Sequence, residues 1–299
     1  PSCAKEAGIP PGALSTWCRA TAPPRAPPSP STRRSNKISF TGSTEVGKLI
    51  QEAAGRSNTK RVNLELGGKS PLVIFPDADL DEAARIAHIG LFFNMGQCCV
   101  AASRLFVHED IYDQFVAKAK QLAAHLRTQV GDPFDDATEQ GPQIDDEQFK
   151  KILGLIESGK KEGAKVEIGG NRIGTEGYFV EPTVFTNVTD DMRIAKEEIF
   201  GPVQQILKFK TMDEVLRRAN DTTYGLAAGV VTKDLNTAIT FSDGVQAGTV
   251  WVNTYLAANV QAPFGGYKMS GLHRECNEDG ILNYIETKTV TIKIPHKHS

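Results

Sequence analysis

Two cysteines stand side by side in Phe92-Phe-Asn-Met-Gly-Gln-Cys-Cys-Val-Ala-Ala-Ser-Arg104, at Cys98 and Cys99 behind a Gly-Gln turn. Adjacent thiols have the wrong spacing for a Cys-x-x-Cys metal knuckle or redox pair. They can be two buried small hydrophobes, the commoner fate of free cysteines. Alternatively one is a nucleophile, whose thiolate attacks an electrophilic carbon. A carboxylate that could act as a base comes earlier, at Glu65, one residue short of the Gly67-Gly68 pair. Such a carboxylate usually faces solvent, but beside a mobile double glycine it can reach into a cleft. A third feature is Thr41-Gly-Ser-Thr44, between a strand pattern and a helix pattern. That layout aims backbone N–H groups and a helix dipole at a phosphate, although Ser43 can equally be a plain N-cap. Neither the Gly-x-Gly-x-x-Gly fingerprint nor the Walker pattern is present.

The elements that must position these residues alternate along the chain. Strands are expected at Lys37–Phe40, Arg61–Leu66, Pro71–Phe75, Arg104–Val107, Val166–Ile168, Phe179–Glu181, Thr183–Phe185, Val203–Lys208 and Ala227–Val231, with a buried-type strand at Gly248–Asn253. Helices are expected over Glu45–Ala54, Asp81–Phe93, Ile111–Gln129, Asp145–Gly163, Met212–Asn220 and Leu235–Phe241. Asp77, Asp79, Asp81 and Glu82 lack the glycine and final glutamate of an EF-hand, so they read as helix N-terminal acids. Strands alternating with helices argue for an α/β fold with a mainly parallel sheet. Thr287–Ile294 alternates strictly, with one β-branched and one cationic face, as expected of a terminal strand that pairs with another subunit. Residues 1–35 differ in texture: the proline-rich run around residues 19–35 leaves almost nothing to bury, and it reads as irregular, disordered or mispredicted coding sequence.

Bulk properties narrow the function classes. The 299 residues carry a net charge of −2 and 40% hydrophobic content, ordinary for a folded protein. No charge excess points to nucleic acid or an anionic membrane as a partner, and no apolar run is long enough to span a bilayer. Five scattered cysteines (Cys3, Cys18, Cys98, Cys99 and Cys276) are an odd number and no disulfide framework. With no signal pattern at the N-terminus, they favour a reducing, cytoplasmic setting.

Five motifs occur in order: Phe40-Thr-Gly-Ser43, Leu64-Glu-Leu-Gly-Gly-Lys69, Gly96-Gln-Cys-Cys99, Glu197-Glu-Ile-Phe-Gly-Pro202 and Pro263-Phe-Gly-Gly-Tyr-Lys-Met-Ser-Gly271. Together they resemble the aldehyde dehydrogenase superfamily, in particular the cytosolic class that includes the retinal dehydrogenases, from Asn36 to the end. The resemblance implies an aldehyde dehydrogenase-like α/β fold: a truncated Rossmann-type cofactor domain, a complete α/β catalytic domain and a C-terminal oligomerisation strand. The implied divisions are 36–67 as the dinucleotide-binding remnant, 68–270 as the catalytic domain and 271–299 as the C-terminal segment.

The resemblance also implies a reaction, the NAD(P)-dependent oxidation of an aldehyde to a carboxylic acid. Cys99 is the implied nucleophile, forming a thiohemiacetal and then a thioester, and Glu65 the base that activates water. Cys98 is the implied packing neighbour. Cofactor contacts carry over to Gly42, Ser43, Leu66, Gln148, Lys151, Glu198 and Phe200. The substrate tunnel carries over to Phe93, Val100, Tyr255, Ala258 and Phe264, with the small Ala258 hinting at a large apolar aldehyde. The cofactor is expected to be NAD, with NADP left open, and no metal is expected. A homotetramer or dimer is the implied assembly. Departures from the family pattern stand at Met95, Val100, Ala102 and Leu272-His273, of which Val100 is the one expected to touch substrate choice. The family's N-terminal portion, with part of the dinucleotide sheet and an oxyanion-stabilising asparagine, has no counterpart here. A reading of a different class is therefore a catalytically inactive or structural, crystallin-like protein, or a truncated gene product, on the same scaffold.

Overall fold

The structure, a computed structural model, describes residue 33 and residues 35–294. Most of the expectation for residues 1–35 therefore lies outside the described residues. Two sheets organise the rest. The smaller joins β1 (Lys37–Thr41), β2 (Arg61–Glu65) and β10 (Gly271–Leu272) in the order β1-β2-β10. β1 and β2 are parallel, and β10 returns antiparallel to β2. Between them α1 (Thr44–Ser57) lays Ile50 and Ala54 on Val62, Leu64 and Leu66.

The larger sheet has seven strands in the order β5-β6-β7-β4-β3-β8-β9. They are β3 (Pro71–Ile74), β4 (Arg104–His108), β5 (Lys165–Ile168), β6 (Thr183–Thr186), β7 (Val203–Phe209), β8 (Ala227–Val231) and β9 (Thr249–Val252). All adjacent pairs are parallel except β5–β6. The central strands are buried on both faces, which is why β3 and β8 read as unbroken apolar runs.

The period-2 alternation of the strands divides the core. Leu72, Ile74, Leu105 and Val107 face a cluster formed with α2 (Leu80–Phe92) and α3 (Tyr112–Arg127). Val73, Phe106, Leu207 and Val230 face the other side, against α4 (Asp146–Lys161), α5 (Met212–Asn220) and α6 (Leu235–Gly244). Caps fix where these helices start. Asp79 accepts from the N–H groups of Asp81 and Glu82, and Asp145, Thr211 and Asp234 cap α4, α5 and α6. Asp77 does a different job: its carboxylate accepts from the Thr232 hydroxyl and from the N–H groups of Lys233 and Asp234, tying β3 to the turn before α6.

Three expected strands differ. Phe179–Glu181 makes only a single bridge, between Val180 and Arg172. β9 is a sheet edge and only partly buried. Thr287–Ile294 forms no strand, and Val290, Ile292 and Ile294 are exposed. The tail has strand propensity, but a strand needs a second edge to hydrogen-bond, and the tail is paired with none of the described strands. No helix among the described residues is long and apolar enough to cross a membrane.

Candidate active site

The site is built on the five residues that carry the chain from one sheet to the other. β2 ends at Glu65 and β3 begins at Pro71. Leu66 is pinned by its N–H donating to the Ser270 carbonyl at 2.8 Å. The two glycines that follow are buried and tightly enclosed rather than mobile. A Cβ on Gly67 would strike the Glu198 carboxylate, and one on Gly68 would strike the carbonyl of Cys99. The Gly68 N–H also donates to Glu198 Oε1 at 3.0 Å. Glycine is required here for close approach, and that approach brings the segments carrying Glu65, Cys99 and Glu198 together.

The loop carrying the two cysteines leaves α2 through the turn Phe93–Gly96. Asn94, Met95 and Gly96 all take positive φ, at 50°, 58° and 71°. Non-glycine residues rarely adopt that conformation. Two side chains hold it: Asn94 Nδ2 donates to the Gln97 carbonyl at 2.9 Å, and Gln97 Oε1 accepts from the Ile144 N–H at 3.0 Å. Cys98 and Cys99 emerge half-buried, packed against the first core. Their thiols hydrogen-bond each other, which lowers Cys98 to about 7 and raises Cys99. Burial and the nearby Glu198 charge push Cys99 up further.

Glu65 is 5% exposed, and neither carboxylate oxygen has a hydrogen-bond partner. Burial, then the charge of Glu275, push its pKa up to about 8, with Arg274 pulling the other way. A buried, unsatisfied carboxylate is costly to keep unless it has a role. Glu198 is likewise raised by burial, offset by the Gly68 N–H, Lys151 and Lys69. Phe200 sits at φ 56°, and the Gln148 side-chain amide donates to the carbonyls of Ile199 at 2.8 Å and Phe200 at 2.9 Å. Gln148 thus braces the Glu198–Phe200 loop from the first turn of α4, while Lys151 is exposed one turn further on.

Ser43 is the N-cap of α1, accepting from the Val46 N–H at 3.2 Å, beside an exposed Gly42. Leu66 is buried against Gly47 of α1. The turn at the α1 N-terminus, the Cβ-free ledge at Gly67 and the Glu198 carboxylate above it fit the pyrophosphate and nicotinamide-ribose ends of a dinucleotide.

The tunnel residues divide. Val100 and Tyr255 are core residues: the Tyr255 hydroxyl donates to the Val100 carbonyl at 2.9 Å, and its ring packs on Trp251. Phe264 is half-buried against the same cluster as the cysteines, whereas Phe93 and Ala258 are exposed. Val100 therefore meets core neighbours, and its backbone orients Tyr255.

Sequence reasoning missed Lys69, Ser270 and the pair Arg274–Glu275. Lys69 is 1% exposed and donates to Gln205 Oε1 at 3.1 Å. Burial, then repulsion from Arg104, bring its pKa down to about 7. Its position before a fully buried parallel strand was the available signal. A separate cavity, lined by Arg61, Asn63, His273 and Arg274 among others, contains neither cysteine.

Known proteins resemble this chain over nearly its whole length. Residues 2–290 match the family described as "Aldehyde dehydrogenase family". The chain is 62% identical over 303 residues to aldehyde dehydrogenase 1A1 of Gallus gallus, covering 100% of this chain and 58% of that protein. It is 62% identical to aldehyde dehydrogenase, cytosolic 1, of Mus musculus over 298 residues, 100% of this chain and 59% of that protein. It is 61% identical to retinal dehydrogenase 2 of Homo sapiens over 299 residues, 99% of this chain and 56% of that protein. The NAD+ complex of an aldehyde dehydrogenase from Bacillus cereus superposes with a TM-score of 0.86 at 47% identity, over 89% of this chain and 54% of that one. The chain thus spans under two thirds of the length of these relatives. Its fold, its motifs and the match from end to end make it a member of the aldehyde dehydrogenase family.

Proposed function

We propose that the protein oxidises an aldehyde to a carboxylic acid, with Cys99 as nucleophile and Glu65 as general base. The observation that carries this is the enclosure of Gly67–Gly68 between the Cys99 carbonyl and the Glu198 carboxylate, just beyond a buried, unpartnered Glu65. The Cys99 thiolate adds to the aldehyde carbon, and the oxygen takes up the negative charge. The Cys99 N–H is a donor for that oxyanion; one such donor typically contributes roughly 3 kcal/mol. Gly42, Ser43, Leu66, Glu198 and Phe200 would hold NAD, which would supply the hydride acceptor. The thioester left on Cys99 is then hydrolysed. Glu65 takes a proton from water, the resulting hydroxide adds to the thioester carbonyl, and the C–S bond breaks to release the acid and a thiolate.

The surface tail Thr287–Ile294 is the segment that would pair with another copy, giving a homo-oligomer. The cytosolic name of the mouse relative supports a cytoplasmic location, and the retinal dehydrogenase relative supports a large apolar aldehyde. Cys99→Ser in the complete protein is expected to abolish NADH formation with an aldehyde, because a neutral hydroxyl is a far weaker nucleophile than a thiolate. Unchanged NADH formation would remove Cys99 from the reaction.

A further inference from the structure

The carbonyl of Gly67 and the N–H of Gly68 belong to one peptide unit, and the two ends of that unit meet different partners. On one side the Ser270 hydroxyl donates to Gly67 O at 2.7 Å, and on the other Gly68 N–H donates to Glu198 Oε1 at 3.0 Å. Ser270 Oγ in turn accepts from the Gly225 N–H at 2.9 Å. Gly225 N–H, Ser270 O–H, the 67–68 peptide and Glu198 therefore form a continuous hydrogen-bond chain. Each link polarises the next. A peptide flanked by two glycines rotates more easily than any other, so its orientation needs an external lock. Ser270 is fully buried on the turn Lys268–Ser270, and its own carbonyl holds the Leu66 N–H.

We infer that Ser270 is a positioning residue, which locks the Gly67–Gly68 peptide so that its N–H fixes the Glu198 carboxylate for the dinucleotide. The inference rests on the reading of Glu198 as the ribose-binding carboxylate. Losing the hydroxyl leaves Gly67 O and Gly225 N–H buried without their partner and frees the peptide to turn.

The test uses the complete protein and three variants: Ser270→Ala, Glu198→Gln and the double variant. Each is assayed for NAD affinity by fluorescence titration, for single-turnover NADH formation, and for hydrolysis of 4-nitrophenyl acetate. Ester hydrolysis requires Cys99 and Glu65 but no hydride transfer. Ser270→Ala is expected to lower NADH formation roughly tenfold, the equivalent of one well-placed hydrogen bond, and to leave ester hydrolysis within about threefold. In the Glu198→Gln background it should cost less than about threefold, because its partner is already altered. Equal loss of both activities, or a tenfold loss that persists in the double variant, overturns the inference. A wild-type Ser270→Ala beside an impaired Glu198→Gln also overturns it, whereas a wild-type Glu198→Gln instead overturns the ribose reading. If the alanine variant does not fold, Ser270→Cys keeps the volume with a weaker donor, and the same comparisons apply.

Discussion

Glu65 and Cys99 share a difficulty: burial disfavours the charged form that each needs. For Glu65 the sign is clear. Its pKa is raised to about 8 by burial and by Glu275, so below that pH it is protonated and cannot accept a proton from water. Thioester hydrolysis should therefore rise as pH increases through about 8. Removing the like charge in Glu275→Gln should move this midpoint to lower pH, while removing the Arg274 charge should move it higher. Single-turnover hydrolysis measured from pH 6 to 9.5 checks this, and an unmoved midpoint in both variants would show that neither charge acts on the base. Cys98 bears on the same balance. The interaction of the two thiols lowers Cys98 and raises Cys99.

At the scale of elements, the link from β2 to β3 carries the geometry of the proposed site, and Lys69 is its hidden cost. Lys69 lies fully buried with Gln205 as hydrogen-bond acceptor and the buried Arg104 nearby. Arg104 is held by the carbonyls of Lys69, Arg218 and Ala219, the last two at the end of α5. Because the folded-state pKa of Lys69 falls to about 7, the unfolded chain holds a proton that the folded one lacks between pH 7 and the ordinary lysine range. Stability linked to this group therefore rises with pH across that window, by about 1.4 kcal/mol per pH unit at most. Lys69→Met removes the titration. Any stability it gains over the parent should be largest at pH 7 and shrink by pH 9, as read from urea midpoints. A difference that does not vary with pH would show that Lys69 stays protonated in the folded state as it is in the unfolded one.

At the scale of the molecule, the larger sheet is closed by helices on both faces, while the smaller sheet is open. Val46 and Leu49 of α1 are exposed, and so are Ile281, Leu282, Tyr284 and the tail. Exposed apolar surface of this extent favours association. Truncation after Glu286 is expected to lower the oligomeric state of the complete protein in sedimentation velocity, and an unchanged assembly would remove the tail from the interface. The 299-residue chain by itself is expected to bind NAD weakly, since a three-stranded sheet with one helix offers few adenosine contacts. Tight one-to-one binding in a calorimetric titration would contradict this.

The alternation of strands and helices was legible because period-2 and period-3.6 patterns report burial directly, and the end points of α5 and β8 follow from that alone. The order of motifs identified the family and singled out Cys99 and Glu65 by residue type and spacing. Burial of Glu65, the enclosure of Gly67–Gly68, the inward placement of Lys69 and the clamp at Ser270 were not legible. Each depends on segments more than a hundred residues apart meeting at one peptide, and a local pattern carries no record of such a meeting. The tail shows the converse limit. Its sequence fixes a strand propensity, but only a neighbouring edge makes a strand, because the hydrogen bonds that define it belong to the pair. Sequence determined which groups could do the chemistry; tertiary structure decided their desolvation and their partners, and hence their protonation.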